Sequence, residues 1–379
     1  DGIEKVEDGY LRGSDGGMQV QVDNRGRQVE VLSFKKPRKG MDVYLTLDAD
    51  LQNFIWNMMK ETRGAAVFMD PYSGEILSMV SAPSFDPNSS LARVLYDSDT
   101  PLLNRAIKGQ YPPGSLFKIV VALAGLEYGK ALPDSNFLCR GKLNIGRDEF
   151  NCWKRDGHGQ MCMNDAIIES CNVYFYNLGI LTGMEKISEY ARLFGFGRKT
   201  GIELLGEKNG FVPSMAWKKA EKKEPWWTGD TANFSIGQGY LLATPLQVAR
   251  MMAIVASDGE IIEPHLLRRI GNRDLSGYKK ANLRIKKENF ELVKNAMKQV
   301  VAGASGTGTG AWSSLVSISA KTGTSQAGGG LNTHAWFAGF APSDKPEIAF
   351  VVFLEHGGSG GDMPAAIAKE AVEYWYRNK

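Results

Sequence analysis

Strand-like segments lie at both ends of this chain, and a long, mainly helical stretch from about 100 to 313 separates them. Period-two or continuously apolar patterns are typical of strands. They occur at 43–47, 65–69, 75–80, 316–321, 334–340 and 347–354. A closing helix is predicted at 363–376. A sheet with strands from both ends requires the chain to return to its start. We therefore predict one α/β domain over 43–379, with sheet parts 43–82 and 314–379 flanked by helices and a largely helical part between them.

The first 42 residues have a different character. They are polar, glycine-rich and basic, and alternating segments at 19–23 and 28–32 flank the turn sequence at 24–26, which predicts a β-hairpin. This piece holds too little apolar surface for an independent core. We predict that residues 1–42 are a short β arm, the remnant of a pedestal or linker.

Composition narrows the function classes only slightly. The chain has 379 residues, 43% of them hydrophobic and 23% charged, which is typical of globular proteins. Its net charge of +3 is small and mixed in sign, so no nucleic-acid partner is expected. No apolar run reaches the ~18–20 residues of a membrane span, and no signal peptide opens the chain. The chain starts at Asp1 rather than Met, so a membrane anchor upstream is left open.

The segment Tyr-Pro-Pro-Gly-Ser-Leu-Phe-Lys at 111–118 precedes an apolar run at 119–126. The prolines and glycine predict a turn, and the run predicts a buried helix. Ser115 then lies near the helix start and Lys118 one turn later, on the same face. A serine nucleophile with a lysine base requires this arrangement. Taken alone, the motif is weak evidence.

Two further motifs follow in order: Ser170-Cys-Asn172, and Lys321-Thr-Gly-Thr324 at a predicted strand end. Serine acyltransferases of the penicillin-binding and β-lactamase type carry S-x-x-K, S-D-N and K-T-G. The second motif is S-C-N here, which keeps the hydroxyl and the amide. The three motifs in this order, each at a predicted element boundary, predict a serine acyl-transfer site.

Side-chain chemistry suggests the role of each catalytic candidate. Ser115 attacks a carbonyl and forms an acyl-enzyme. Lys118 accepts its proton only when neutral, which requires burial or a nearby cation, and Lys321 could be that cation. Ser170 can relay a proton to the leaving amine, and Asn172 can hold Lys118 and a substrate amide.

The third motif predicts substrate contacts. The hydroxyls of Thr322 and Thr324 can bind a terminal carboxylate, and Gly323 leaves room for substrate to lie against the strand. An oxyanion hole needs two backbone N–H groups, for which Ser115 and Thr324 are the candidates.

All four cysteines of the chain follow the first motif, and the last of them, Cys171, lies within the second motif. Cys139, Cys152, His158 and Cys171 supply three thiols and an imidazole, a set that could complete a tetrahedral, structural zinc site. A Cys139–Cys152 disulfide in an oxidising compartment is an alternative, with Cys171 as a small buried residue. Cys162 fits neither arrangement.

Beyond the three motifs, the chain resembles the class B, monofunctional penicillin-binding proteins, most of all the elongation-type branch called penicillin-binding protein 2. The resemblance covers nearly the whole chain. It rests on Leu11-Arg-Gly-Ser-Asp-Gly16, Val22-Asp-Asn-Arg-Gly26, Thr46-Leu-Asp48, Tyr111-Pro-Pro-Gly114, Gly157-His-Gly159, and Gly237-Gln-Gly-Tyr240 leading into Thr244-Pro-Leu-Gln247.

The resemblance implies a penicillin-binding, β-lactamase-like transpeptidase fold and D,D-transpeptidase activity in cell elongation. It implies D-Ala-D-Ala stem peptides of peptidoglycan as donors, β-lactams as covalent inhibitors, and no catalytic cofactor. Implied partners are a separate glycosyltransferase and the cell-elongation machinery. The implied location is periplasmic, at the inner membrane, through an N-terminal anchor upstream of Asp1. Related proteins can carry Asp, His and Cys at the cysteine positions, which favours zinc over a disulfide.

Three other functions use similar residues. A D,D-carboxypeptidase uses the same groups with water as acceptor. A serine β-lactamase or β-lactam sensor shares the fold, but a β-lactamase also needs a base that activates water, and the sequence indicates none. A non-catalytic cell-wall scaffold explains the three motifs poorly.

Overall fold

The computed structural model describes residues 2–275, 280–328 and 330–379. Helices are numbered in chain order. They are α1 Ile3–Val6, α2 Asp8–Leu11, α3 Ala49–Met59, α4 Leu91–Leu95, α5 Lys118–Glu127, α6 Met163–Ile168, α7 Asn172–Thr182, α8 Met184–Leu193, α9 Met215–Trp217, α10 Thr228–Ser235, α11 Pro245–Ala256, α12 Lys287–Ala302 and α13 Met363–Asn378.

The strands are numbered in the same way. They are β1 Gly17–Val22, β2 Gln28–Lys35, β3 Val43–Leu45, β4 Gly64–Met69, β5 Ile76–Ala82, β6 Phe137–Cys139, β7 Lys142–Ile145, β8 Asp148–Asn151, β9 Gly159–Met161, β10 Glu260–Ile262, β11 Leu267–Ile270, β12 Arg273–Asp274, β13 Lys280–Asn282, β14 Ser319–Ser325, β15 His334–Ala341 and β16 Ile348–Leu354.

The main sheet joins the two ends of the chain, as predicted. Its order is β14-β15-β16-β4-β5, and every neighbouring pair is antiparallel. The pairing of β16 with β4 places Val351 opposite Val67. Strands β4, β15 and β16 are buried along their whole length. Continuously apolar strands require cover on both faces of a sheet, and here helices supply it.

Alternate residues of the central strand face two separate hydrophobic clusters. Val351 and Phe353 belong to the cluster that contains α5 and α11, whereas Phe350 and Val352 belong to the cluster beneath α3 and α13. All twelve residues of α11 are buried. It begins at the capping box that Thr244 forms with Gln247. The catalytic motifs lie at the α5 side of the sheet.

The structure differs from the sequence prediction at β3. This strand pairs with β11, in a small sheet with β12, instead of joining the main sheet. The Thr46 hydroxyl donates to the carbonyls of Ile76 and His265, and Asp48 then caps α3. These contacts hold β3 beside Ile76, the first residue of β5, so β3 does not pair along the length of that strand.

The middle of the chain is less purely helical than predicted, because it also contains β6 to β13. Each of these strands has only two to four residues. Runs this short do not complete enough alternations to be distinguished from loops in a sequence.

The predicted N-terminal hairpin is confirmed as β1 and β2, which pair in an antiparallel register with two irregularities. All eight residues of β2 are exposed. In the described part of the chain, no helix has both the length and the apolar character needed to cross a membrane.

Candidate active site

The first wall of the site is the turn that carries Ser115. Residues Gly114–Phe117 form one 3-10 turn, and α5 follows directly with Lys118 as its first residue. Residues three apart are eclipsed in a 3-10 turn, so these two side chains leave the chain on the same side. Gly114 has a φ of 56°, and a Cβ there would lie 2.7 Å from the Thr324 carbonyl oxygen. Only glycine allows this close approach.

Lys118 is completely buried, yet its amine is fully hydrogen-bonded. Its Nζ lies 2.8 Å from the Ser170 carbonyl oxygen, 3.2 Å from Ser170 Oγ and 2.7 Å from Asn172 Oδ1. Within the described residues it makes no hydrogen bond to Ser115. Burial lowers the pKa of Lys118 to about 8, against the opposing effect of negative charge at Cys171 and Cys152. The neutral, proton-accepting amine is therefore accessible near neutral pH.

The second wall is formed by Ser170, in the short connection between α6 and α7, and by Asn172, the first residue of α7. Ser170 has a φ of 55°, a left-handed conformation that costs energy for a residue with a side chain. This backbone conformation accompanies the contact of its carbonyl oxygen with Lys118. The amide of Asn172 has a defined orientation, because its Nδ2 donates to the Asn151 carbonyl at 3.3 Å while its oxygen accepts from Lys118.

The third wall is β14, an edge strand of the main sheet. Lys321 is completely buried, and its Nζ donates to the carbonyl and the hydroxyl of Thr322 at 3.2 and 3.4 Å. Burial holds the pKa of Lys321 well below its usual value, and the positive charge of Lys118 lowers it further. The sequence prediction left burial and a nearby cation open as the cause of a neutral Lys118. In the structure, burial is the main cause at Lys118, and the charge of Lys118 adds to the effect of burial at Lys321.

Gly323 has a different surrounding from the one predicted. A Cβ at this position would lie 3.0 Å from the Leu116 side chain and 3.0 Å from the Pro113 carbonyl oxygen. The turn that carries Ser115 therefore packs where we expected substrate to lie. The glycine brings the first and third walls together, while Thr324 on the same strand is exposed.

A cleft of about 1010 Å³ lies between the three walls. Ser115, Ser170, Asn172, Thr322 and Thr324 all line it, so the structure brings together the predicted side chains from three distant segments. The two lysines lie beneath this surface. Its only carboxylate in the described part of the chain is Glu149, which is paired with Lys142 at 2.6 Å.

The predicted metal ligands also converge. The ligand atoms of Cys139, Cys152, His158 and Cys171 all lie within 4.8 Å of one another. Nδ1 of His158 lies 3.5 Å from the sulfurs of Cys139 and Cys152. All four cysteines of the chain are free thiols, and Cys162 lies outside the cluster, with its sulfur 3.3 Å from an Asp165 carboxylate oxygen.

This cysteine–histidine cluster directly adjoins the second wall. The backbone N–H of Asn172 donates to Cys152 Sγ at 3.3 Å. A hydrogen bond from the Cys171 thiol, supported by the one from Asn172, holds the pKa of Cys152 far below the usual value for a thiol. A buried thiolate is an effective ligand for a soft cation.

Two residues that bridge the walls were missed by sequence reasoning. Gln238 Nε2 donates to the Thr324 carbonyl at 3.4 Å, beside a turn whose Gly237 carbonyl accepts from the Gly114 N–H at 3.0 Å. Thr307 Oγ1 lies 2.8 Å from Thr322 Oγ1. Both residues line the cleft and have glycines on both sides in the sequence. Gln238 also lies within Gly237-Gln-Gly-Tyr240, one of the segments that support the family resemblance, but neither residue was assigned a role.

A comparison with known families identifies the two parts of the chain separately. The penicillin-binding protein transpeptidase domain matches residues 64–373, and the penicillin-binding protein dimerisation domain matches residues 1–45. A peptidoglycan D,D-transpeptidase, MrdA of Acinetobacter baumannii, is 38% identical over 99% of this chain. The chain spans 60% of that protein's length.

Solved structures agree with these matches. The penicillin-binding protein 2 of Helicobacter pylori, in complex with MreC, has a TM-score of 0.90 and 31% identity, covering 100% of this chain and 72% of that one. The penicillin-binding protein 2 of Pseudomonas aeruginosa, in complex with WCK 5153, has a TM-score of 0.87 and 35% identity, covering 99% of this chain and 81% of that one.

Proposed function

This chain belongs to the family of penicillin-binding protein transpeptidases, and we propose that it cross-links peptidoglycan stem peptides through a Ser115 acyl-enzyme during cell elongation. The observation that carries the proposal is the position of Lys118. Its buried amine is held by Ser170 and Asn172 at the base of a cleft that Ser115 and β14 also line.

The chemistry follows from these positions. Ser115 Oγ attacks the carbonyl of the penultimate D-Ala, and its proton passes to neutral Lys118. The tetrahedral intermediate collapses and the C–N bond breaks, while the Ser170 hydroxyl relays the proton to the leaving amine of the terminal D-Ala. The amine of a second stem peptide then attacks the ester and releases Ser115. β-Lactams acylate the same serine.

We assign the oxyanion hole to the backbone N–H groups of Ser115 and Thr324, since both residues line the cleft and their segments pack together at Gly114. The Thr322 and Thr324 hydroxyls bind the terminal carboxylate of the donor. Lys321 lies just behind Thr322 and strengthens this anion site whenever it is protonated.

Cys139, Cys152, His158 and Cys171 are proposed to hold a structural zinc ion. In a tetrahedral site with Zn–S bonds of about 2.3 Å the donor atoms lie roughly 3.8 Å apart, so the present arrangement within 4.8 Å needs only a small contraction. Nε2 of His158 is buried without a hydrogen bond and lies 3.9 Å from a Glu169 oxygen. When bound, the ion stabilises the fold beside Asn172 and takes no part in acyl transfer, because four protein ligands leave no open position.

Elemental analysis of protein purified without added metal tests the zinc assignment. We expect close to one zinc ion per chain, and its loss in Cys152→Ala but not in Cys162→Ala. Metal-free protein with a Cys139–Cys152 disulfide, detected by peptide mass, would contradict the assignment.

The remaining features of the proposal concern organisation. Residues 1–42 act as part of a pedestal and residues 43–379 as the transpeptidase domain. Because the Helicobacter pylori relative forms a complex with MreC, we extend to this chain a partner in the elongation machinery, together with a separate glycosyltransferase. The activity takes place in the periplasm at the inner membrane, where stem peptides are available.

Incubation with benzylpenicillin, followed by intact mass over time, tests the main proposal. We expect a stable adduct of one penicillin on the protein and none on Ser115→Ala. Absence of an adduct on the unmodified protein would refute the active serine. Rapid loss of the adduct would indicate a β-lactamase. Release of D-Ala from a stem peptide without cross-linked product, in the presence of an acceptor amine, would indicate a carboxypeptidase.

A further inference from the structure

Thr307 lies between the second and third walls of the cleft and belongs to none of the three motifs. Its Oγ1 is 2.8 Å from Thr322 Oγ1 and 3.5 Å from the Ile168 carbonyl oxygen, two residues before Ser170. The residue lines the cleft and is half-buried. Thr307 therefore contacts the strand that is proposed to bind carboxylate and the segment that leads to the proton relay.

The backbone holds this hydroxyl in place. A Cβ at Gly306 would lie 2.2 Å from the Val300 carbonyl oxygen, and one at Gly361 would lie 2.6 Å from the carbonyl oxygen of Thr307 itself. The N–H of Gly308 also donates to the Val300 carbonyl at 3.0 Å. Such close packing at glycines on either side leaves the segment little freedom, and the Thr307 side chain is fixed toward β14.

The hydrogen-bond inventory of Thr322 indicates what Thr307 does. A hydroxyl has one proton and two acceptor positions. One acceptor position of Thr322 faces Lys321 Nζ at 3.4 Å. If Thr322 donated its proton to Thr307, none would remain for a substrate carboxylate, which can only accept. If Thr307 donates instead, both acceptor positions of Thr322 are filled, and its proton is directed into the cleft.

The distances favour the second arrangement. The alternative acceptor for the Thr307 proton, the Ile168 carbonyl, lies at the long limit of a hydrogen bond, whereas Thr322 Oγ1 lies at an ideal O–H···O distance. We propose that Thr307 is a positioning residue that sets donor specificity: it donates to Thr322 and thereby reserves the Thr322 proton for the carboxylate of the acyl donor. This inference rests on the proposed function and selects donors with a free carboxylate next to the scissile amide.

The test compares a donor with its uncharged analogue. Benzylpenicillin and its methyl ester differ only at the carboxylate. Acylation is started by rapid mixing and its time course is measured by intact mass, which separates the binding constant of each donor from its acylation rate constant. In Thr307→Val, which removes the hydroxyl at nearly constant volume, we expect benzylpenicillin to bind roughly tenfold more weakly, because the Thr322 hydroxyl loses the donor that orients its proton toward the carboxylate. The acylation rate constant of benzylpenicillin should change by less than about twofold. For the methyl ester, both the binding constant and the acylation rate constant should change by less than about twofold.

Matched variants complete the design. Thr307→Ser keeps the hydroxyl and should bind benzylpenicillin like the unmodified protein. Thr62→Val removes a hydroxyl that donates to the Met59 carbonyl outside the cleft. It should change the binding of neither benzylpenicillin nor the ester. In a double-mutant cycle with Thr322→Val, the Thr307→Val substitution should have no further effect on benzylpenicillin binding. If Thr307→Val unfolds, Thr307→Ala replaces it in the same cycle.

Each opposite result has a definite meaning. Equal losses for benzylpenicillin and the ester would overturn the inference in favour of a general structural role for Thr307. Unchanged binding of benzylpenicillin to Thr307→Val would overturn the inference outright. It would also be overturned if the effects of Thr307→Val and Thr322→Val on the binding free energy were fully additive. Failure of the unmodified protein to be acylated at all would refute the Ser115 proposal itself, which this design recognises before any Thr307 variant is considered.

Discussion

Asn172 separates two buried clusters that differ in how completely their polar atoms are satisfied. The side chain of Asn172 faces the lysine cluster, in which Lys118 has an acceptor for each of its three ammonium protons. On its backbone side, Cys152 accepts the Asn172 N–H, and its sulfur, those of Cys139 and Cys171 and one nitrogen of His158 all lie within 4.8 Å of one another. Converging thiols and an imidazole form a donor set that suits a soft cation. We interpret the lysine cluster as complete in itself and the cysteine–histidine cluster as one that requires a ligand.

The largest expected effect comes from removing the amine of the lysine cluster. Lys118→Met should reduce the rate of penicillin acylation by roughly 10³- to 10⁴-fold, because the general base is lost. Zinc content should remain unchanged, since no metal ligand is altered. Intact-mass kinetics and elemental analysis measure the two quantities. A decrease of less than about tenfold would remove Lys118 from the role of base.

Asn172→Ala acts on the residue that the clusters share, but only on its side chain. Loss of the hydrogen bond to Lys118 should slow acylation by roughly 10- to 100-fold. Zinc should be retained, because the cysteine–histidine cluster contacts the backbone N–H of this residue. Asn177→Ala is the matched control on the same helix, where the side chain donates to the Val173 carbonyl, and it should leave acylation unchanged. Loss of zinc in Asn172→Ala would show that the clusters are not independent.

The pH dependence of acylation reports on Lys118, whose pKa also responds to negative charge at Cys171 and Cys152. Burial lowers the pKa of Lys118 to about 8, and the reactive form is the neutral one, so the rate should rise with pH and level off above 8. Below that value the neutral fraction falls roughly tenfold per pH unit, and acylation at pH 6 should be about a tenth of that at pH 7. A rate that increases on acidification would contradict a neutral lysine base.

The smallest effect on catalysis is expected from the cysteine–histidine cluster. Cys152→Ala should abolish zinc binding and lower the thermal unfolding midpoint by roughly 5 °C or more, because metal binding contributes to folding. Acylation should fall only a few-fold, through loosening of the segment that holds Asn172. Differential scanning fluorimetry and acylation kinetics measure both, with Cys162→Ala as the control. A thousandfold decrease in the acylation rate of Cys152→Ala would show that the two clusters act as a single functional unit.

The same two clusters show what sequence could predict. Ser115 and Lys118 were found because a turn followed by an apolar run fixes their spacing within one element. The position of Lys321 beside them followed only from the motif order and the resemblance. The sequence could not decide between burial and a nearby cation as the cause of a neutral Lys118, because burial, which dominates its pKa, depends on the packing of the whole chain.

Thr307 and Gln238 illustrate the remaining limit. Thr307 contacts Thr322 and the Ile168 carbonyl. Gln238 donates to the Thr324 carbonyl beside the backbone hydrogen bond between Gly114 and Gly237. No periodicity or turn rule predicts such contacts. The short strands β6 to β13 were missed for a related reason, since two to four residues carry too little pattern. The strand β3 was predicted in the correct place but with the wrong partner, because pairing depends on the distant β11.

The noncontiguous main sheet has a consequence for how the protein acquires activity. Strand β4 forms its outer pair with β5 early in the chain, but its other neighbour is β16, near the carboxyl terminus. Contacts between such distant segments form slowly during folding. The nucleophile is synthesised well before the strand that completes its cleft, so a chain that is still emerging carries Ser115 without a competent site. Under the proposed function, penicillin capture therefore begins only after β14 and β16 have been synthesised and paired with β15.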